Sequence, residues 1–177
     1  MKKIALAGVT MALVMVAGAA SAANSMSTGT MGLHVSVVPE TVDFGASTLR
    51  TDPMIGGKYF MSKDMAILGG VGFASGGPSG ASVTFFKLMG GVRKYTSTGD
   101  FAPFFGGRLD YSSLSVTGGS ASNMTLQAQA GAEYFLAKQF SVEGSAGVGF
   151  SSISPAVGSS YTTFGTATAG VNINLYF

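Results

Sequence analysis

Along most of the chain apolar and polar side chains alternate with a period of two, and the alternation breaks where Gly, Ser, Pro and Asp cluster. The last residues, Val171-Asn172-Ile173-Asn174-Leu175-Tyr176-Phe177, show it plainly. Period two places successive side chains on opposite faces of a strand. The pattern predicts eight strands, over 31–38, 53–61, 65–74, 83–95, 101–116, 124–136, 140–151 and 164–177. Three joints are tight: Ser62-Lys63-Asp64, the stretch from Thr96 to Asp100, and Ala137-Lys138-Gln139. The other four are longer and rich in loop residues: Pro39 to Asp52, Ser75 to Ser82, Thr117 to Asn123 and Ser152 to Thr163. Tight and long joints alternate, so successive strands run up and down, with the short turns gathered at one end.

Alternation also assigns faces. Counting back from Phe177 puts Leu175, Ile173, Val171 and Ala169 on one side, and Tyr176, Asn174, Asn172 and Thr168 on the other. The same count places Lys58, Lys87, Arg93, Arg108, Asp110, Glu133 and Glu143, together with His34, on the inner face. Within a predicted strand only Lys94, at the short-turn rim, falls outside that rule. A misassigned fold would scatter charges over both faces. The inner set has mixed sign, and two expectations follow from it. Either the charges pair with one another to fill a closed barrel, since buried charge persists mainly when paired, or they line a narrow polar path. The first is preferred, because eight strands leave an interior barely wide enough for side chains. Inner glycines, Gly70, Gly72, Gly91, Gly106 and Gly147, are expected to make room for long neighbours such as Arg108 and Lys87, or to leave water pockets.

Composition then narrows the class. Charged residues make up 10% of the chain and mean hydropathy is +0.40, whereas a soluble domain carries about 25% charged residues. Lys2 and Lys3, the apolar run Ile4 to Val16 and the small residues Ala20-Ser21-Ala22 predict a secretory signal peptide over 1–22, leaving a single domain over 23–177. No later stretch approaches the roughly 20 apolar residues a membrane helix needs. A chain so poor in charge, with no helical span, is accommodated by a barrel whose outer wall faces lipid and whose closure leaves no unpaired edge. A soluble lipocalin-like carrier would have the opposite polarity, apolar inside and charged outside. Without Lys2 and Lys3 the basic and acidic residues balance at eight each, and no basic tract suggests nucleic acid. There is no cysteine, hence no disulfide and no thiol chemistry.

The hairpin from Gly57-Lys58-Tyr59-Phe60 through Ser62-Lys63-Asp64 into Ala66 to Phe73, the similar runs Gly131 to Phe135 and Gly147 to Phe150, and the terminal aromatic strand together resemble one family. It is the small eight-stranded bacterial outer-membrane barrels, which include the opacity proteins and the transmembrane domain of outer-membrane protein A. The resemblance implies an all-β, eight-stranded antiparallel up-and-down transmembrane β-barrel in the outer membrane. It also implies that Val171, Ile173, Leu175 and Phe177 form the signal read by the barrel-assembly machinery, a partner during biogenesis alongside the outer-membrane lipid. The chain departs from outer-membrane protein A in ending at the barrel, so a peptidoglycan-binding role is not carried over.

Catalytic candidates are sparse. His34 is the single histidine, no G-x-S-x-G elbow is present, and no Cys/His cluster suggests a metal; neither a catalytic site, a metal nor a cofactor is expected. The sequence therefore predicts a monomeric structural or porin-like barrel with a polar, side-chain-filled lumen. The alternatives are an adhesin acting through its outer loops, with Asp43, Phe44 and Arg50 of the first loop as the contact residues, and, third, a lipid-modifying enzyme.

Overall fold

The computed structural model describes residues 26–37, 40–43, 48–51, 54–77 and 82–177, and for 40–43, 48–51 and 166–169 the backbone alone. The predicted signal peptide and Phe44 lie outside the described residues. Alternating residues build strands β1 (Met31–Ser36), β2 (Glu40–Asp43), β3 (Thr48–Thr51), β4 (Ile55–Ser62) and β5 (Met65–Gly76). They are followed by β6 (Val83–Tyr95), β7 (Phe101–Val116), β8 (Gly119–Ala137), β9 (Phe140–Ser154) and β10 (Tyr161–Tyr176). Eight of them close an antiparallel barrel in the order β1-β10-β9-β8-β7-β6-β5-β4, and β2 and β3 pair separately as a ribbon.

Two features of the joints differ from expectation. The stretch predicted as the first long loop contains the β2–β3 ribbon, and the predicted loop from Thr117 to Asn123 is a two-residue turn. Val116 pairs with Gly119, and Gly118 adopts φ 97°, a left-handed conformation open to glycine that suits a tight hairpin. The sequence hides this because β7 and β8 here carry Ser and Gly where large apolar residues would announce a strand.

Register fixes the shape of the wall. Stepping across paired residues from Val35 through Ile55, Val71, Leu88, Tyr111, Met124 and Ser152 returns to β10 at Thr162, whereas Val35 itself pairs with Ile173. The offset between 162 and 173 is eleven residues, one of them inserted at the bulge between Ala167 and Gly170. An effective shear of ten over eight strands, at about 3.3 Å per residue and about 4.8 Å between strands, tilts the strands by about 40°.

Outward aromatic residues form two belts. Phe101 stands opposite Tyr134 near the short turns, while Phe73 opposite Phe86 and Phe150 opposite Phe164 lie near the far end. The rings of Phe150 and Phe164 are 4.7 Å apart. From Phe101 to Tyr111 is about 33 Å along β7 and, at this tilt, about 25 Å along the axis, the height of a barrel's lipid-facing band. Val71, Leu88, Leu109, Leu126, Val148 and Val171 point outward between the belts and are exposed. Beyond the far belt, the outer positions of β7, β8 and β9 are serines, among them Ser115, Ser122 and Ser152.

The inner glycines serve chiefly the backbone. A Cβ on Gly106 would lie 2.1 Å from the Val92 carbonyl oxygen, one on Gly91 2.8 Å from that of Gly107, and one on Gly147 2.6 Å from that of Ala128. Neighbouring strands thus approach too closely for any side chain as the small barrel curls. Two of those named face side chains in the expected sense: Met54 Sδ and Met89 Cε would each lie 3.2 Å from a Cβ on Gly70, and Lys87 Cβ would lie 3.4 Å from one on Gly72.

Candidate functional site

The interior is layered from the short-turn end upward, and its lowest layer is aromatic rather than polar. Inward positions at the ends of β4, β6, β7, β8 and β10 bring together Phe60, Tyr95, Phe104, Phe135 and Tyr176, and Met26, just before β1, packs among them. Ring centroids lie 5.5 Å apart for Phe60–Tyr95 and Phe135–Tyr176, 5.6 Å for Tyr95–Phe104 and 6.0 Å for Phe60–Tyr176. The rings are tilted or edge-on, the arrangements aromatic quadrupoles favour.

On this floor rests an ion cluster drawn from five strands. Glu133 Oε2 accepts from Lys58 Nζ and from Tyr95 Oη, both at 2.8 Å. Its Oε1 accepts from Asn174 Nδ2 at 3.1 Å and from the hydroxyls of Ser141 and Tyr176. Glu143 Oε2 accepts from Arg93 at 2.5 Å and Lys58 at 3.0 Å, and its Oε1 accepts from Asn172 at 3.2 Å. Two cations face two carboxylates, and their side chains are 0–2% exposed. The Arg93 guanidinium lies 4.2 Å from the Phe104 ring centroid, a cation–π contact, and its Nε has no hydrogen-bond partner. His34 joins from β1, with Nδ1 3.1 Å from Asn174 Oδ1.

A second cluster lies nearer the far end. Arg108 Nε donates to Asp110 Oδ2 at 2.7 Å, Gln127 Nε2 donates to the same oxygen at 3.0 Å, and Lys87 Nζ stands 3.6 Å from Asp110 Oδ1. These charged side chains keep 4–10% exposure. Asp110 Oδ1, Gln127 Oε1 and Gln129 Nε2 are buried without a hydrogen-bond partner. Apolar patches border the cluster: Met54, Leu68 and Met89 on one side, and Phe85, Leu114 and Ala121 towards the far rim. Both clusters hold charge in place; the first leaves one buried polar atom without a hydrogen-bond partner, Arg93 Nε, and the second leaves three.

No family model and no curated protein matches the sequence. Among solved structures, the crystal structure of neisserial surface protein A is 12% identical with a TM-score of 0.51, the match covering 84% of this chain and 96% of that one. The solution structure of Escherichia coli outer membrane protein W is 12% identical with a TM-score of 0.50, covering 85% of this chain and 99% of that one. The chain has the fold of the small eight-stranded outer-membrane β-barrels.

In such a barrel the remaining candidates fall on the wall and rims. Val171, Ile173, Leu175 and Phe177 share the outward face at the end of β10; Val171 and Phe177 are exposed, Ile173 and Leu175 half-buried. The Phe177 amide donates to the Met31 carbonyl at 2.9 Å, tying the terminus to β1. Asp43 and Arg50 lie in the ribbon, where Asp43 is paired with Thr48 and Arg50 with Thr41. At the short-turn rim Lys94 donates to Asp64. That bond, reinforced by the Ser62 hydroxyl at 2.7 Å, holds the Asp64 carboxyl below its ordinary pKa. Sequence reasoning missed the aromatic floor, although the inward parity of Phe60, Tyr95 and Phe135 at strand ends carried the signal.

Proposed function

We propose that the protein is an integral outer-membrane barrel acting as a closed structural scaffold rather than a porin. The observation that supports this is the floor: five rings and Met26 occupy the short-turn end, and a dry ion cluster sits on them. An ion crossing here would have to displace packed rings and part buried ion pairs. Placement in the outer membrane is supported by the belts about 25 Å apart and by the outward apolar band. The four outward positions ending at Phe177 fit a recognition face for the assembly machinery. Refolded protein in a planar bilayer is expected to give no discrete conductance steps; reproducible unitary steps from the wild type would overturn the scaffold reading.

A second role, contact with a partner at the cell surface, is favoured by one observation. The β7–β8 hairpin stands beyond the far aromatic belt with a regular, uncharged serine face, a contact surface held in shape by paired strands. Cells displaying the protein would lose attachment when 114–121 is shortened to a two-residue turn; unchanged attachment would exclude the hairpin.

A further inference from the structure

We propose that His34, Met54 and Met89 form a soft-metal site inside the barrel, and that its ligand is a monovalent thiophilic ion of the Cu(I) or Ag(I) class. Register brings the three residues together. His34 on β1 pairs with Gly56 on β4, Gly56 with Gly70 on β5, and Gly70 with Met89 on β6. These four inward positions form one row across neighbouring strands, each step about 5 Å. Met54, just before β4, lies two positions from Gly56 and shares its face. The two central positions of the row are glycines, so neither places a side chain between the imidazole at one end and the thioether at the other.

The donors lean over those glycines. A Cβ on Gly70 would lie 3.2 Å from Met54 Sδ and 3.2 Å from Met89 Cε, and one on Gly56 would lie 3.4 Å from His34 Cδ2. The two thioether side chains therefore converge over Gly70, and the imidazole edge that carries Nε2 covers Gly56 beside it. At Gly91, Gly106 and Gly147 the nearest atom is a backbone carbonyl oxygen, but at Gly70 the three nearest atoms all belong to these methionines. Its missing side chain makes room for the sulfur-bearing chains. Met54 and Met89 keep 6% and 7% exposure, so solvent touches both.

Asn174 sets the histidine tautomer. Its Nδ2 donates to Glu133 Oε1 at 3.1 Å and to Ser141 Oγ at 3.0 Å, so Oδ1 is the atom that meets His34 Nδ1, at 3.1 Å. Nδ1 must then carry the ring proton. In the neutral ring Nε2 keeps its lone pair, and among the described residues nothing hydrogen-bonds it. A ligating histidine held through its other nitrogen is the usual arrangement at a metal. Among the described residues no three His, Asp or Glu side chains gather to hold an ion; one imidazole and two thioethers are a softer set, which selects Cu(I) over harder cations. All three donors are neutral, and Glu133 and Glu143 are already engaged by Lys58 and Arg93. A monovalent ion, cheaper to desolvate than a divalent one, is the match. Methionine's three rotatable bonds let each sulfur close on it.

The test is a titration of silver nitrate, a redox-stable stand-in for Cu(I), in chloride-free buffer into protein refolded in phosphatidylcholine bilayers. The readout is the 13C-labelled methionine methyls together with the 15N-labelled ring of His34. Saturable shifts of the Met54 and Met89 methyls and of His34 Nε2 are expected, while the outward Met31 and Met124 and the floor residue Met26 stay in place. Zinc sulfate should move none of them. Met54→Leu and Met89→Leu keep the volume and remove the sulfur, and each should weaken silver binding by about tenfold or more. Retained heat-modifiable gel mobility identifies variants that still form the barrel. No saturable shift up to about 100 µM silver, equal shifts at Met31 and Met124, a stationary His34 Nε2, unchanged affinity in either methionine variant, or an equal response to zinc would each overturn the proposal. Conductance with the shifts intact would refute the closed scaffold and leave the metal site standing, since its donors do not depend on the floor.

Discussion

Lys58 and Arg108 are both inward cations held by carboxylates in the same barrel, yet the Lys58 side chain has no exposed surface and that of Arg108 keeps 8%. Around Lys58 every carboxylate oxygen is taken up by protein donors from other strands; around Arg108 one oxygen of Asp110 is left over. The same ion-pair chemistry therefore does different work in the two halves. Where water is excluded, removing one partner strands a charge that nothing else solvates. Where water enters, the solvent takes over much of the lost interaction.

Glu133→Ala is the harshest test of that contrast. It leaves Lys58 with one carboxylate in a dry site and should cost about 3–5 kcal/mol, read from urea unfolding of vesicle-refolded protein; a cost under about 1 kcal/mol, the range of surface pairs, would abolish the distinction. Arg108→Ala should fall between, at about 1–2 kcal/mol. Adding Asp110→Asn should recover part of it, since the neutral amide needs no countercharge. Raising salt towards 1 M, where the Debye length is about 3 Å, should shrink the Arg108 effect and leave that of Glu133 unchanged. Equal salt response at both sites would mean that water reaches both.

The rim pair Lys94–Asp64 is the fully wetted reference and carries the smallest effect. The folded Asp64 carboxyl titrates below its unfolded value of about 3.9. Its stabilisation is therefore present above about pH 4 and lost as pH falls through the folded value. Wild type and Asp64→Asn should differ by a constant amount between pH 7 and about pH 4, then converge. Divergence on acidification would reverse the sign and sink the assignment.

The barrel and its two faces were legible in the sequence because lipid outside and charge inside impose opposite demands on neighbouring residues. Arg108 and Asp110 were readable as neighbours, since residues two apart on a strand share a face. The aromatic floor was not read: Phe60, Phe104 and Phe135 each adjoin an outward aromatic, Tyr59, Phe105 and Tyr134, and the pairs look alike until parity separates them. The β7–β8 turn was misread because alternation loses its apolar half where a strand leaves the lipid band. What no pattern disclosed is which cations share which carboxylates. Lys58 and Glu133 meet across 75 positions of sequence, and that encounter is set by barrel closure, not by anything local.

Phe164 and Phe177 both point outward, although thirteen positions separate them and an odd interval puts the ends of a regular strand on opposite sides. The insertion between Ala167 and Gly170 acts as a phase slip that absorbs the mismatch. The closing strand is thereby two half-strands with independent clocks, one set by the terminal aromatic and the other by the ring stacked on Phe150. Deleting one residue within 167–170 would lock the clocks together. The chain would then have to turn Phe164 into the lumen or withdraw Phe177 from the outer face.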